Sequence, residues 1–304
     1  MINSELKKIL RCVKCKKPAL IAEEKFLICK SCGANYLIHN NVPSLLINDV
    51  KNQKWNPWKL NKAKKTADSY YKRAKGDLPE KESSKSLARL IKRKKLFSKT
   101  DNYLDIGCAT GHYLVSLRKI INKKIKYTGI DILKEYLIWG DEIFGHSELS
   151  NFIHCDGLNL PFKNKSFDYT LVNLFHFFPK LDEPLKEALR VTKKMLIWRT
   201  PIGQISYMIK WVLYEQRHNK IGSLHIDRND LDHCIYMLYS KDYIKSIVKS
   251  FGGKVVFIEQ DKNFKHFDNT SLKEFKNIPS TKTVNGTQMN GNLHLDWHYV
   301  GIKV

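Results

Sequence analysis

Leu104-Asp105-Ile106-Gly107-Cys108-Ala109-Thr110-Gly111 is a short apolar run that breaks into an acidic turn bearing two glycines. A helical stretch follows at Tyr113 to Ile121. The combination reads as the first strand and ligand loop of a doubly wound α/β domain, because glycines let the backbone come close to a nucleotide-like ligand. What lies downstream decides which ligand.

Tyr127-Thr128-Gly129-Ile130-Asp131 is a second strand ending in a carboxylate, about twenty residues beyond the turn. An acid at that place can accept hydrogen bonds from both ribose hydroxyls. A dinucleotide-binding loop needs Gly-x-Gly-x-x-Gly, whereas Asp105-x-Gly107-x-x-x-Gly111 has an acid ahead of the turn and wider glycine spacing. The third strand, Phe152 to Cys155, ends at Asp156-Gly157, and a fourth runs from Phe167 to Asn173. Leu185 to Val191 makes a helix, and Met195 to Pro201 a fifth strand. This alternation predicts a mostly parallel sheet whose ligand sits at the carboxyl ends of the strands. A helix over 240–251, capped by Ser240, a sixth strand at Val255 to Glu259 and a final antiparallel strand at His294 to Val304 make seven strands in all. Residues 260 to 292 read as a polar loop without chemistry.

Residues 100 to 201 resemble the class I S-adenosylmethionine-dependent methyltransferases, especially the broad group with the quinone-biosynthesis C-methyltransferases. The resemblance rests on five motifs in order: Leu-Asp-Ile-Gly-Cys-Ala-Thr-Gly, Gly-Ile-Asp-Ile, Cys-Asp-Gly-Leu-Asn-Leu-Pro-Phe, Ser-Phe-Asp-Tyr, and Arg-Val before a strand ending in Thr-Pro. It implies that Gly107 and Gly111 cradle the methionine part of the cofactor while Asp105 orients its amino group. It also implies that Asp131 holds the ribose, that Asp156 and Gly157 meet the adenine, and that Asn173 completes the cofactor set. Two departures stand out. Ala109 occupies a position where glycine is usual, and Val191 to Met195 lacks the Pro-Gly-Gly turn that normally precedes the fifth strand.

Ahead of this domain, Cys12-x2-Cys15, thirteen residues, then Cys29-x2-Cys32 with Gly33 directly behind is the spacing of a tetrahedral zinc site in a β-hairpin ribbon. Two disulfides, or a redox pair ahead of a helix, are the competing uses of such cysteines. Four protein ligands leave no open position for catalysis, so the metal is structural. The unit resembles the small zinc ribbon that activates certain tRNA and protein methyltransferases, on Leu10-Arg11-Cys12, Cys29 to Tyr36 and Asn41 to Leu46. The expected organisation is a ribbon over 1–50, a basic helical linker or lid over 51–99, and a methyltransferase domain over 100–304 with a substrate-covering insertion at about 202–240.

The linker carries Trp55, Trp58, Tyr70 and Tyr71 among lysines. Such a mixture suits a lid or an RNA-contacting surface, and equally a connecting helical layer with snorkelling lysines, which is the reading preferred from the residues. The whole chain has 53 Lys+Arg against 30 Asp+Glu, a net +23, but only nine of the basic residues are arginine. Phosphate binding would explain the excess, and so would coding bias toward A/T-rich codons. RNA is therefore a partner the charge allows and does not require. No charged start followed by an apolar core marks a signal peptide, no run approaches the roughly 18 apolar residues of a membrane span, and the expected location is cytoplasmic.

Methyl transfer is an in-line displacement that needs positioning, with a base where the nucleophile must lose a proton. His176, just past the fourth strand, is the candidate base or substrate contact; a histidine packed among Phe175, Phe177 and Phe178 is the structural alternative. Asn173 is followed by Leu174 and Phe175, so the Asn-Pro-Pro-aromatic tetrad for an exocyclic base amine is absent, and no Pro-Cys pair offers a thiolate. The expected acceptor is a small-molecule or glycan biosynthetic intermediate, with RNA as the alternative and a non-catalytic binding module as a third.

Overall fold

The computed structural model describes residues 3–47, 60–98, 100–145, 149–178, 180–212, 233–261, 281–284, 287–290 and 297–304. The chain opens with a short helix α1 (Ser4–Ile9) and four strands, β1 (Leu20–Ala22), β2 (Phe26–Cys29), β3 (Asn35–His39) and β4 (Val42–Leu45). Between β3 and β4 the register pairs His39 with Val42, leaving a two-residue loop. Its residues, Asn40 and Asn41, both have positive φ, at 46° and 66°. Asn tolerates that left-handed conformation, and a two-residue turn of this hand matches strand twist, so the sequence itself specifies a tight hairpin here.

Helices α2 (Leu60–Lys75) and α3 (Glu82–Arg93) follow. Of the stripe Leu87, Leu90, Ile91 and Phe97 that the helical spacing predicts, the first three are buried in α3, and Phe97 lies beyond its end, half-buried against the same cluster. The central domain then runs β5 (Asn102–Ile106), α4 (His112–Ile120), β6 (Lys126–Asp131), α5 (Lys134–Phe144), β7 (Ser150–Cys155), β8 (Phe167–Val172), a 3₁₀ turn at Phe175–Phe177, α6 (Asp182–Val191) and β9 (Thr192–Gly203). It continues through β10 (Tyr207–Val212), β11 (His233–Ser240), α7 (Lys241–Ser250), β12 (Lys254–Gln260), β13 (Thr281–Val284), β14 (Thr287–Asn290) and β15 (Trp297–Lys303).

Strand order in the central sheet is β7-β6-β5-β8-β9-β15-β12, with β15 alone antiparallel to its neighbours β9 and β12. This is the seven-stranded doubly wound arrangement expected from the motifs, including the antiparallel last strand. Every residue of β7 is buried, as for a strand covered on both faces. Leu87, Leu117 and Leu137 of α3, α4 and α5 share one core cluster, and Leu185, Leu189, Ile244 and Val248 of α6 and α7 belong to another. The missing Pro-Gly-Gly turn is explained directly: α6 ends at Val191 and β9 starts at Thr192 without a loop. Thr192 makes that junction, donating through Oγ1 to the Ala188 carbonyl at 2.6 Å. Ser240 caps α7 as expected, its side chain accepting from the Tyr243 amide at 3.2 Å.

The N-terminal cysteine unit is built into this body. Strand β4 pairs in parallel with β7, Ser44 opposite His154 and Leu45 opposite Cys155, so the ribbon sheet continues the central one. On the other side the Arg11 amide donates to the Pro161 carbonyl at 2.9 Å, and the Arg11 guanidinium meets Glu187 of α6 at 3.3 Å. Leu6, Leu10, Leu27 and Leu45 belong to the same core cluster as Ile153, Phe162 and Leu189.

Past β9, strands β10 and β11 form an antiparallel hairpin, and β11 pairs in parallel with the far end of β9 through Tyr239 and Ser240. The insertion therefore springs from the carboxyl end of the sheet. Its residues 213–232, with Tyr214, Arg217, His218, His225, Asp227 and Arg228, lie outside the described residues, as do Trp55 and Trp58 of the linker. Within 260–292, read from sequence as loop, β13 and β14 pair as a hairpin. No helix among the described residues is long and apolar enough to cross a membrane.

Candidate cofactor and metal sites

Three strand ends converge at the carboxyl edge of the sheet. At the end of β5 the chain turns through Gly107 (φ +78°) and Gly111 (φ +73°), and the Gly107 and Cys108 amides donate to the Ile130 carbonyl at 2.8 and 2.9 Å. A Cβ on Gly107 would collide with the Leu174 side chain, and one on Gly111 would press on Phe152 at 3.0 Å. Glycine is required at both places by conformation and by space. Between them Ala109 holds φ +50°, a left-handed conformation that costs a residue with a Cβ about 1 kcal/mol. Replacing Ala109 with Gly is expected to raise the melting temperature by roughly 2 °C, the strain relief exceeding the added unfolded-state entropy. A lower melting temperature by calorimetry would show that the loop is relaxed as it stands.

Asp131, at the end of β6, ties two loops together. Its Oδ2 accepts from the Ala109 amide at 2.9 Å and its Oδ1 from the Leu133 amide at 3.0 Å. A carboxylate offers about four lone-pair sites, so capacity remains for a ligand. Burial pushes its pKa up to about 6, against the pull of these amides. Asp105 is buried behind the glycine turn and accepts from the Tyr127 hydroxyl at 2.6 Å. Burial raises its pKa to about 7. Tyr127 was not singled out by sequence reasoning; it sits on the second strand, where an apolar run gives no sign of a hydroxyl partner.

Asp156, past β7, accepts the Leu158 amide at 2.9 Å, and burial raises its pKa as well. A Cβ on Gly157 would meet only Ile106, at 3.5 Å, so the protein itself leaves space there. A cleft of about 540 Å³ lined by Leu158, Phe178, Lys180, Asp182, Glu183 and Pro184 opens beside this strand end. Asn173, after β8, donates through Nδ2 to the Tyr113 hydroxyl at 3.0 Å. Its Oδ1, Thr110 Oγ1 and His112 Nδ1 are buried and have no hydrogen-bond partner among the described residues. Buried polar atoms are normally satisfied. Three orphans on the glycine loop and the strand end beside it fit a polar ligand held there.

Helix α2 covers the same loop. Tyr70 stacks on His112 with centroids 4.6 Å apart and meets Tyr136 edge-on at 6.2 Å, with the Lys81 ammonium 4.5 Å above its ring. Tyr70 thus packs on the first residue of α4, a contact that a lid and a connecting layer would make alike.

His176 lies in the 3₁₀ turn, 2% exposed, tilted against Phe177 at 4.1 Å and edge-on to Trp297 at 5.0 Å. Burial, aided by the nearby Arg199 cation, pulls its pKa down to about 3, so the imidazole is neutral. Arg199 of β9 is itself buried. Its Nε donates to Asp261 at 3.1 Å, and Asp261 also accepts from Tyr299 at 3.1 Å and from Ser86. This polar network joins α3, β9, β12 and β15. No motif pointed to it, because its members are far apart in sequence.

In the ribbon, Cys12, Cys15, Cys29 and Cys32 bring their sulfurs within 4.8 Å of one another. Cys12–Cys32 and Cys15–Cys29 are 3.7 and 3.6 Å apart. A tetrahedral zinc with Zn–S of about 2.3 Å spaces its sulfurs about 3.8 Å apart, whereas a disulfide needs about 2 Å. The donor set thus fits the metal. The Tyr36 hydroxyl, 3.0 Å from Cys12 Sγ, is placed to hydrogen-bond a thiolate there.

The chain is similar in part to several known proteins. The chain is 33% identical over 91 residues to the demethylmenaquinone methyltransferase of Staphylococcus haemolyticus and 34% identical over 91 residues to that of Staphylococcus aureus, in each case over 30% of this chain and 38% of the relative. It therefore spans well under half the length of these relatives. Among solved structures it is similar to an S-adenosylmethionine-dependent methyltransferase from Clostridium acetobutylicum, with TM-score 0.48, 15% identity, and coverage of 79% of this chain and 98% of that one. The 1,6-didemethyltoxoflavin-N1-methyltransferase of Burkholderia thailandensis gives TM-score 0.47, 11% identity and coverage of 79% and 86%. A family model described as a methyltransferase domain matches residues 97–252, more than half of the chain, and so the chain belongs to the methyltransferase-domain family.

Proposed function

We propose that this chain transfers a methyl group from S-adenosylmethionine to a small-molecule acceptor. The observation that carries the reading is the trio of strand-end carboxyls, Asp105, Asp131 and Asp156, set around a loop with three orphaned buried polar atoms. When bound, the cofactor supplies a sulfonium methyl open to in-line attack. The glycine turn and Asp105 hold its methionine end, Asp131 its ribose, and Asp156 with Gly157 its adenine, while Asn173 faces the loop from β8. Methyl transfer of this kind is accelerated chiefly by holding the two partners in line.

The acceptor side is aromatic, with Phe177 and Trp297 about His176. A neutral, weakly basic imidazole is better suited to contacting an acceptor than to deprotonating it. The partial likeness to demethylmenaquinone methyltransferases supports a small apolar acceptor. The four cysteines hold a structural zinc and take no part in the transfer.

The test is incubation of the purified chain with methyl-labelled cofactor and fractionated cell extract. Label in a small-metabolite fraction supports the proposal; label confined to RNA or protein, or no transfer at all, counts against it. The raised carboxyl pKa values add a pH signature. Because Asp105 and Asp131 hold protons more tightly folded than unfolded, the free protein loses stability as pH rises through about 6 and 7. Ribose binding uses the ionised form, so S-adenosylhomocysteine affinity is expected to rise several-fold between pH 5.5 and 8. A flat profile by calorimetry would remove the carboxylates from the binding site.

A further inference from the structure

His154 closes β7 on the side where the ribbon docks, and it is 6% exposed. Its Nε2 lies 3.0 Å from the Ile132 carbonyl and its Nδ1 lies 2.7 Å from Ser44 Oγ. A carbonyl only accepts, so Nε2 carries the proton and Nδ1 accepts from the serine hydroxyl. The ring is thus fixed at both ends, by a ribbon strand on one side and by the residue after Asp131 on the other. Asn41, from the turn preceding β4, donates to Asp141 of α5 at 3.3 Å, so the same hairpin grips the helix that follows the ribose loop. Lys134, Glu135 and His39 surround the ring electrostatically, and burial keeps it neutral, its pKa lowered to about 4. Both bonds persist across the ordinary pH range.

We infer that His154 is a positioning residue through which the cysteine ribbon fixes the 131–133 loop for the ribose of the cofactor. The inference rests on the proposed cofactor site. It assigns the ribbon a role in cofactor affinity that does not depend on touching the cofactor. The Ile132 carbonyl and the Leu133 amide belong to one planar peptide unit, so fixing the carbonyl fixes the amide that holds the Asp131 carboxylate. A site group must be held to within a fraction of an ångström to bind well, and a supporting hydrogen bond of this kind is what holds it.

The experiment uses the full chain with Ser44→Ala, His154→Phe, His154→Gln and the Ser44→Ala/His154→Phe pair. Two quantities are read: S-adenosylhomocysteine affinity by calorimetry, and amide hydrogen exchange over 129–136 in the ligand-free protein. Ser44→Ala is expected to weaken binding about fivefold and His154→Phe about tenfold, each speeding exchange over 129–136. The double variant should be no weaker than His154→Phe, because both remove one linkage. His154→Gln, whose amide N–H can still reach the carbonyl, should recover most of the loss. Unchanged exchange in Ser44→Ala and His154→Phe, or losses that simply multiply in the pair, would overturn the inference. A wild-type chain that binds no S-adenosylhomocysteine would refute the cofactor site, and exchange would then decide the positioning role alone. Should His154→Phe fail to fold, Ser44→Ala at the partly exposed end of the pair decides it.

Discussion

Alanine at Asp131 is expected to abolish measurable S-adenosylhomocysteine binding, a loss of at least a hundredfold. Two effects combine. The ribose loses its carboxylate acceptor, worth about 1.5 to 3 kcal/mol for a charge-assisted hydrogen bond. In addition, the Ala109 and Leu133 amides lose the group that holds the glycine turn against the 131–133 loop. From sequence alone the substitution reads as nearly silent for folding. The structure changes that expectation: removing a half-buried carboxyl that satisfies two amides should lower stability by about 1 to 3 kcal/mol even without ligand. Asp131→Asn separates the effects, since its side-chain carbonyl can keep one amide bond while its NH₂ cannot accept from ribose. A smaller loss of melting temperature than alanine's, with binding lost, is the expected result for asparagine. Alanine protein that binds S-adenosylhomocysteine with wild-type affinity would refute the assignment of the ribose site.

The second large effect concerns the ribbon. Read as a separate module, its first fifty residues should simply unfold when metal is removed. The structure ties them to the body instead, through the β4–β7 pairing, the Arg11–Glu187 contact and a shared core cluster. Chelation, or Cys12→Ser, is therefore expected to lower the melting temperature of the whole chain by roughly 10 °C or more, corresponding to about 3 to 5 kcal/mol. It should also promote association, because β7 becomes an uncovered sheet edge. Differential scanning calorimetry with and without a strong chelator checks this. An unshifted main transition would mean that the body stands without the ribbon.

The fold was legible because its signals are local. Strands β5, β6 and β7 are short apolar runs ended by a glycine or a carboxylate, and helices α3, α6 and α7 carry apolar stripes, so order and type follow from periodicity. Asp105, Asp131 and Asp156 could be found for the same reason, since a strand end is where an α/β sheet binds ligands. What stayed hidden depends on distant pairing. Nothing near Asp261 indicates that Arg199, Tyr299 and Ser86 will converge on it. Nothing near Ser44 indicates a partner at His154. The Asn40-Asn41 turn was readable in principle, from two residues that tolerate positive φ between apolar neighbours, and it is the local cause of the hairpin that reaches the central sheet.

The β4–β7 pairing also has a consequence for synthesis. Ser44 and His154 are 110 residues apart in the chain, so the N-terminal hairpin leaves the ribosome well before the strand it will lie against exists. The cysteine cluster can close around metal at once, since all four ligands fall within the first 32 residues. Its outer strand must then wait, edge uncovered, until β7 has been made and β5 and β6 have assembled beside it. Slowed elongation across residues 45 to 155, or overproduction that outpaces metal supply, should therefore do most harm to yield during that interval, before the nascent chain has a central sheet to offer.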